Sequence, residues 1–157
     1  MKKYIFLLFI FLGCQPAKEP VFIKSDFISD SSHFYPGIDD KDLNVSDAYY
    51  IKNFRYNEET YKAINDFVQK NKSDSNINKC LNYSMVFYKY SKETNDSNLR
   101  ANPRQLDRYS QQHDLICDYK WSQGTFTEVY WHKNGKIVKE GYPRREPDDF
   151  KVEDVKP

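Results

Sequence analysis

The chain has 157 residues, with 24 basic and 23 acidic side chains and a formal net charge of +1 at pH 7. This near-neutral balance gives no electrostatic basis for binding nucleic acid, and the length suits one ordinary domain rather than two. Aromatic residues make up 17% of the chain and glycine occurs only five times, which argues against a repeat or low-complexity protein.

The N-terminus has the three parts of a secretory signal peptide. Two lysines follow the initial methionine, residues 4–12 carry no charge, and Gly13 precedes Cys14. The apolar run has about half of the roughly 20 residues that a membrane-spanning helix needs. Because a cysteine follows the small residue directly, residues 1–14 resemble the signal of bacterial lipoproteins. An ordinary cleaved signal peptide is the alternative.

The resemblance implies that Cys14 becomes the lipid-modified first residue of the mature protein, which its lipid then holds at a membrane. Phe11 departs from the leucine that is usual three positions before that cysteine. Gln15 stands where some enteric lipoproteins carry an aspartate that retains them at the inner membrane. We therefore expect a cell-envelope protein on the outer membrane, facing the periplasm or the cell surface.

Cleavage there would divide the chain into four parts. These are a signal peptide over residues 1–13, a lipidated tether over 14–20, one domain over 21–142 and a polar tail over 143–157. The two lysines of the signal are lost with it, which takes the side-chain charge from +1 to about −1.

Alternating and helical patterns predict the elements of the domain. Asn57 is a plausible N-cap before two glutamates, and apolar side chains then recur at helical spacing, which predicts a helix over residues 58–71. The strand-like segments are 21–28, 48–56, 80–90, 113–121, 126–133 and 137–142. Three stretches, 29–46, 72–78 and 91–110, are predicted to be mainly polar connections.

This order predicts an α+β fold in which one main helix packs on a curved antiparallel sheet of about four to five strands. In topology alone, such an arrangement is similar to cystatin-like and nuclear-transport-factor-like folds. That likeness implies nothing about function.

The Asn134-Gly135 pair predicts a two-residue type I′ hairpin. The register that follows pairs Lys133 with Lys136, His132 with Ile137, Trp131 with Val138 and Tyr130 with Lys139. One face of the hairpin is then apolar. The other is polar and ionisable, and forms our candidate binding face: Glu128, Tyr130, His132 and Lys139.

A histidine beside a carboxylate and a lysine can perform acid–base chemistry, but exposed sheet faces commonly carry such mixtures as cross-strand pairs. We therefore expect a binding or interaction module whose partner is an envelope protein or a glycan. The alternatives are a small periplasmic hydrolase-like enzyme using His132 with Glu128 or Asp118, and a purely structural envelope component. The sequence assigns no catalytic residue, no metal site and no cofactor.

Cys80 and Cys117 remain once Cys14 is assigned to lipid. In an exported protein two cysteines suggest one disulfide. The strand pattern places Cys80 opposite the apolar face of its strand and Cys117 on the apolar face of its own, and such a pair cannot meet without a bulge or a strand end. A disulfide and a pair of buried thiols are both open.

Overall fold

The structure, a computed structural model, describes residues 18–29 and 44–141, with only the backbone of residues 139–141. Within these residues the fold is α+β, as predicted, and contains six strands and five helices. The strands are β1 (Val21–Ser25), β2 (Asn44–Lys52), β3 (Asn82–Lys89), β4 (Leu115–Ser122), β5 (Thr125–Lys133) and β6 (Lys136–Gly141). The helices are α1 (Asp26–Ser29), α2 (Glu58–Asn71), α3 (Asp74–Lys79), α4 (Asp96–Ala101) and α5 (Leu106–Asp114).

The six strands form one mixed sheet in the order β1-β2-β3-β4-β5-β6. Every neighbouring pair is antiparallel except β2 and β3, which run parallel. The predicted antiparallel sheet of four to five strands is therefore wrong in both strand count and direction. The parallel pairing of β2 with β3 follows from the connection between them. Helices α2 and α3 carry the chain across one face of the sheet and return it to the end at which β2 began. The parallel pair also departs from the all-antiparallel sheet on which the cystatin-like and nuclear-transport-factor-like likeness rested.

The main helix, α2, occupies the predicted residues. Asn57 caps it, since the Asn57 side chain accepts a hydrogen bond of 3.0 Å from the Thr60 amide. The side chains of Tyr61, Ile64 and Val68 are buried against one face of the sheet, which we call the α2 face. The sheet contributes aromatic and aliphatic side chains to this core, among them Tyr49, Tyr83, Met85, Phe87, Tyr119, Trp121, Val129 and Trp131.

The other side of the sheet, which we call the opposite face, carries a second and smaller core. Phe27 of α1, Leu99 of α4 and Leu106 of α5 pack there against Tyr50 and Tyr88 of the sheet. The stretch 91–110, which contains α4 and much of α5, was predicted to be mainly a polar connection. That prediction is wrong, since the stretch forms helices. The sequence did not reveal them because each helix buries too few apolar side chains to display a helical period.

Asp96, at the start of α4, links that helix to β1, β2 and α1 next to this second core. Its carboxylate accepts hydrogen bonds from Ser25 Oγ at 2.6 Å and from Tyr50 Oη at 2.7 Å. It also accepts from the amides of Asp26 and Phe27, at 3.1 and 3.3 Å, which begin α1. Burial opposes ionisation of Asp96, but these hydrogen bonds outweigh it and lower the pKa of the carboxyl group. The strand predicted over residues 21–28 therefore ends at Ser25 in the structure, because the chain turns there into a capped helix.

The β5–β6 turn has the predicted type I′ geometry, with φ of 51° at Asn134 and 71° at Gly135. The pairs Lys133–Lys136 and His132–Ile137 are also as predicted. Beyond them a bulge shifts the register, so that Trp131 lies opposite Lys139 and Tyr130 opposite Glu140. The predicted pairs Trp131–Val138 and Tyr130–Lys139 are therefore wrong, because β6 contains one residue more than its partner over this stretch.

Candidate functional site on strands β4 and β5

Five polar side chains gather on the opposite face of β4 and β5. Glu128, Tyr130 and His132 alternate along β5 with core residues, so all three project away from the α2 face. The antiparallel register places Asp118 opposite Tyr130 and Lys120 opposite Glu128. We call these five residues the polar cluster.

Lys120 is the centre of the polar cluster. Its ammonium lies 3.0 Å from Glu128 Oε1 and 3.4 Å from Asp118 Oδ2, and 4.6 Å from the centroid of the Tyr130 ring. Partial burial works against the charged form of Lys120, but the two carboxylates outweigh it and raise the pKa of the lysine. The positive charge of Lys120 is therefore held between two carboxyl groups.

Glu128 is fully engaged within the polar cluster. One carboxylate oxygen accepts from Lys120, and the other, Oε2, accepts a hydrogen bond of 2.6 Å from Tyr130 Oη. Short hydrogen bonds to an ionised acceptor are stronger than neutral ones. Glu128 accordingly holds Lys120 and Tyr130 in place and does not contact His132 through these atoms.

His132 is instead close to Asp118. His132 Nε2 lies 3.6 Å from Asp118 Oδ1, and the two side chains are only 14% and 18% exposed. Both atoms are buried and lack a hydrogen-bond partner among the residues that the structure describes. A separation of 3.6 Å exceeds a well-formed hydrogen bond, so the hydrogen-bonding capacity of each atom is unused, although neither atom is open to solvent. Protonation of His132 would turn the same contact into an ion pair.

The polar cluster differs from the predicted binding face in three residues, because it lacks Lys139 and includes Asp118 and Lys120. Lys139 lies opposite Trp131 in the register, so its position belongs to the α2 face of the sheet; its side chain is outside the described residues. Lys120 supplies the ammonium group instead, and it was missed. Its signal was the polar alternation of Asp118, Lys120 and Ser122 along β4, which places the three on one face.

The two cysteines in the described residues are buried, and no disulfide joins them. Cys80 is the C-cap residue of α3, just before β3 begins. Cys117 lies in β4, opposite Phe87 in the interior of β3. Five residues separate Phe87 from the start of β3, or about 16 Å at the rise of an extended strand, which is beyond disulfide reach. Of the two alternatives left open by the sequence, the structure contains the buried thiols. Burial and the neighbouring Asp118 raise the pKa of Cys117, which keeps it protonated.

The proposed signal peptide over residues 1–13, Cys14 with residues 15–17 of the proposed 14–20 tether, and the tail over 143–157 lie outside the described residues. In the part of the chain that is described, no group of three or more potential ligand side chains is placed to hold a metal ion. No helix in that part has the length and apolarity needed to cross a membrane.

Comparison with known proteins adds no assignment. No family model matches the chain, and no curated protein and no solved structure matches it significantly.

Proposed function

We propose that this chain is a lipid-anchored cell-envelope protein whose polar cluster binds a partner, either an envelope protein or a glycan. The anchor rests on the sequence of residues 1–14, in which a basic start, an uncharged run and Gly13-Cys14 resemble a lipoprotein signal. By the same resemblance, Gln15 favours the outer membrane over the inner one.

The observation that carries the binding proposal is the state of Asp118 and His132. Lys120, Glu128 and Tyr130 satisfy one another through short contacts, which fixes the geometry of the polar cluster before any partner arrives. A preorganised site loses less conformational entropy on binding than a mobile one. Asp118 Oδ1 and His132 Nε2 stay without a partner beside this fixed group. Because both atoms are buried, a hydroxyl or amide group of a glycan or protein would satisfy them only after neighbouring side chains move aside.

The binding proposal is tested by a double substitution, Tyr130→Ala with His132→Ala. We expect it to abolish capture of a cross-linked partner from native envelope extracts while leaving the thermal unfolding transition cooperative. Lys62→Ala with Asp66→Ala is the matched control, because it also removes two side chains but from the exposed side of α2. Unchanged capture by the Tyr130/His132 variant would refute the proposal.

The second candidate function is a small periplasmic hydrolase, which the 3.6 Å approach of His132 to Asp118 favours. In this case Asp118 orients the imidazole, and His132 acts as general base toward water or a hydroxyl nucleophile. Glu128, the other acid considered from the sequence, is engaged by Lys120 and Tyr130. Turnover of ester, amide or glycoside substrates that is lost in both His132→Gln and Asp118→Asn would select this candidate.

A purely structural envelope role is the remaining alternative. It predicts that substitutions in the polar cluster change neither partner capture nor turnover and affect the protein through its stability alone.

The anchor has its own test. Mass spectrometry of the mature N-terminus should find a lipid-modified Cys14 as the first residue, and Cys14→Ser should release the protein from the membrane fraction. An unmodified N-terminus at another position would instead indicate an ordinary cleaved signal peptide.

A further inference from the structure

A second set of unsatisfied polar atoms lies inside the protein, on the α2 face. The ring of Tyr61 in α2 meets the indole of Trp131 in β5 edge to face, with centroids 4.7 Å apart and planes at 82°. These side chains are only 3% and 2% exposed. Even so, Tyr61 Oη and Trp131 Nε1 are buried with no hydrogen-bond partner among the described residues.

Asn65 places a third polar atom on the same side of α2. It follows Tyr61 by four residues, and side chains at that spacing are neighbours on a helix surface. Asn65 Oδ1 is likewise buried, and no protein group within the described residues bonds to it. Tyr61 and Trp131 thus bring two donors, a hydroxyl and an indole N–H, to the contact of α2 with β5, and the Asn65 amide follows one helical turn along α2.

Buried polar groups are almost always satisfied, by protein atoms or by an ordered molecule between them. Phenylalanine at position 61 would retain the aromatic contact and would carry no unsatisfied hydroxyl. Burial, with lesser effects of Tyr56 and Cys117, raises the pKa of Tyr61 to about 12, so its hydroxyl is protonated and can donate at neutral pH. The side-chain amide of Asn65 can either accept or donate a hydrogen bond.

We propose that the α2–β5 interface binds a hydroxyl oxygen that bridges Tyr61, Trp131 and Asn65. The oxygen accepts from the indole N–H, exchanges a hydrogen bond with the phenol and donates to the amide oxygen. Three such bonds match the usual coordination of a buried water. The same chemistry could come from the hydroxyl group of a small ligand, so the occupant is either water or an alcohol function. This site is separate from the polar cluster and does not rest on the function proposed for it.

The first test uses the sign of a stability change. Tyr61→Phe removes the phenol from a bridged site, and we expect its melting temperature to fall by several degrees. Tyr83→Phe is the matched control, because Tyr83 is 1% exposed and its hydroxyl donates to Asp47 at 2.7 Å. Removing that satisfied hydroxyl should also lower the melting temperature. If the site is dry, Tyr61→Phe instead leaves the melting temperature unchanged or raises it, which would overturn the proposal.

The second test identifies the occupant. The chain has only two tryptophans, so a Trp121→Phe variant assigns the indole N–H signal of Trp131 in an NMR spectrum. Magnetisation transfer from a long-lived water to that signal, before and after refolding from denaturant, identifies water. An adduct in native mass spectrometry that is lost on refolding identifies a ligand hydroxyl. The proposal is wrong if neither is found.

Discussion

Replacement of Asp96 should reveal how much of the stability depends on one carboxylate. In the structure it accepts two side-chain hydrogen bonds, from Ser25 and Tyr50, and two from amides at the start of α1. A hydrogen bond to a charged group contributes about 1.5–3 kcal/mol. Ser25 Oγ and Tyr50 Oη lie 3.0 Å apart, so they can satisfy each other in part after the carboxylate is removed. We therefore expect Asp96→Ala to lower the free energy of unfolding by about 3 kcal/mol.

The assay is urea unfolding at several pH values, with Asp96→Asn as the control of similar shape. Because the folded protein lowers the pKa of Asp96, its stabilisation is complete above the unfolded-state pKa of about 3.9. That stabilisation is lost as the pH falls through the lower folded value. The stability gap between the native protein and Asp96→Asn should thus be widest near neutral pH and narrow below about pH 4. A loss under about 1 kcal/mol for Asp96→Ala, or a gap independent of pH, would refute the reasoning.

Three further predictions concern local features of the fold. Gly135→Ala should lower the free energy of unfolding by more than Gly124→Ala does. Both glycines have positive φ, but a Cβ at 135 would lie 2.6 Å from the Gln112 carbonyl oxygen, whereas one at 124 meets nothing nearer than 3.5 Å. Equal losses of stability in chemical unfolding would contradict the packing argument. Asn57→Ala should cost about 1 kcal/mol through the lost N-cap, measured in the same way, and an unchanged unfolding midpoint would count against the cap. The buried, protonated thiol of Cys117 should react with iodoacetamide only after denaturant is added, and rapid labelling of Cys117 itself in the native protein would contradict its burial.

The sequence predicted those elements whose signal is local. Helix α2 carries its own cap at Asn57 and several apolar side chains at helical spacing, and the β5–β6 turn carries its own Asn-Gly pair. Both are present as predicted. Helix α3 was missed because only Ile77 of its six residues is buried, and a single apolar position shows no period. The parallel pairing of β2 with β3 was missed because no local pattern in either strand encodes its direction.

For the candidate site too, the sequence predicted the local pattern but not the pairing between strands. Alternation along β5 was sufficient to place Glu128, Tyr130 and His132 on one face. The choice of partner for His132 was left open between Glu128 and Asp118, since it depends on the β4–β5 register, which sequence alone does not give. The position of Lys139 was predicted wrongly because a bulge in β6 places it opposite Trp131 instead of Tyr130.

The spatial order of the strands has a consequence for how the protein assembles. All six lie in the sheet in the order in which they occur along the chain, so each strand docks on the one made just before it. No strand has to enter between two that are already paired. Growth can therefore begin at β1 and proceed one strand at a time as the chain emerges. Removing β6 would then expose a new edge at β5, whereas deleting β3 would divide the sheet in two.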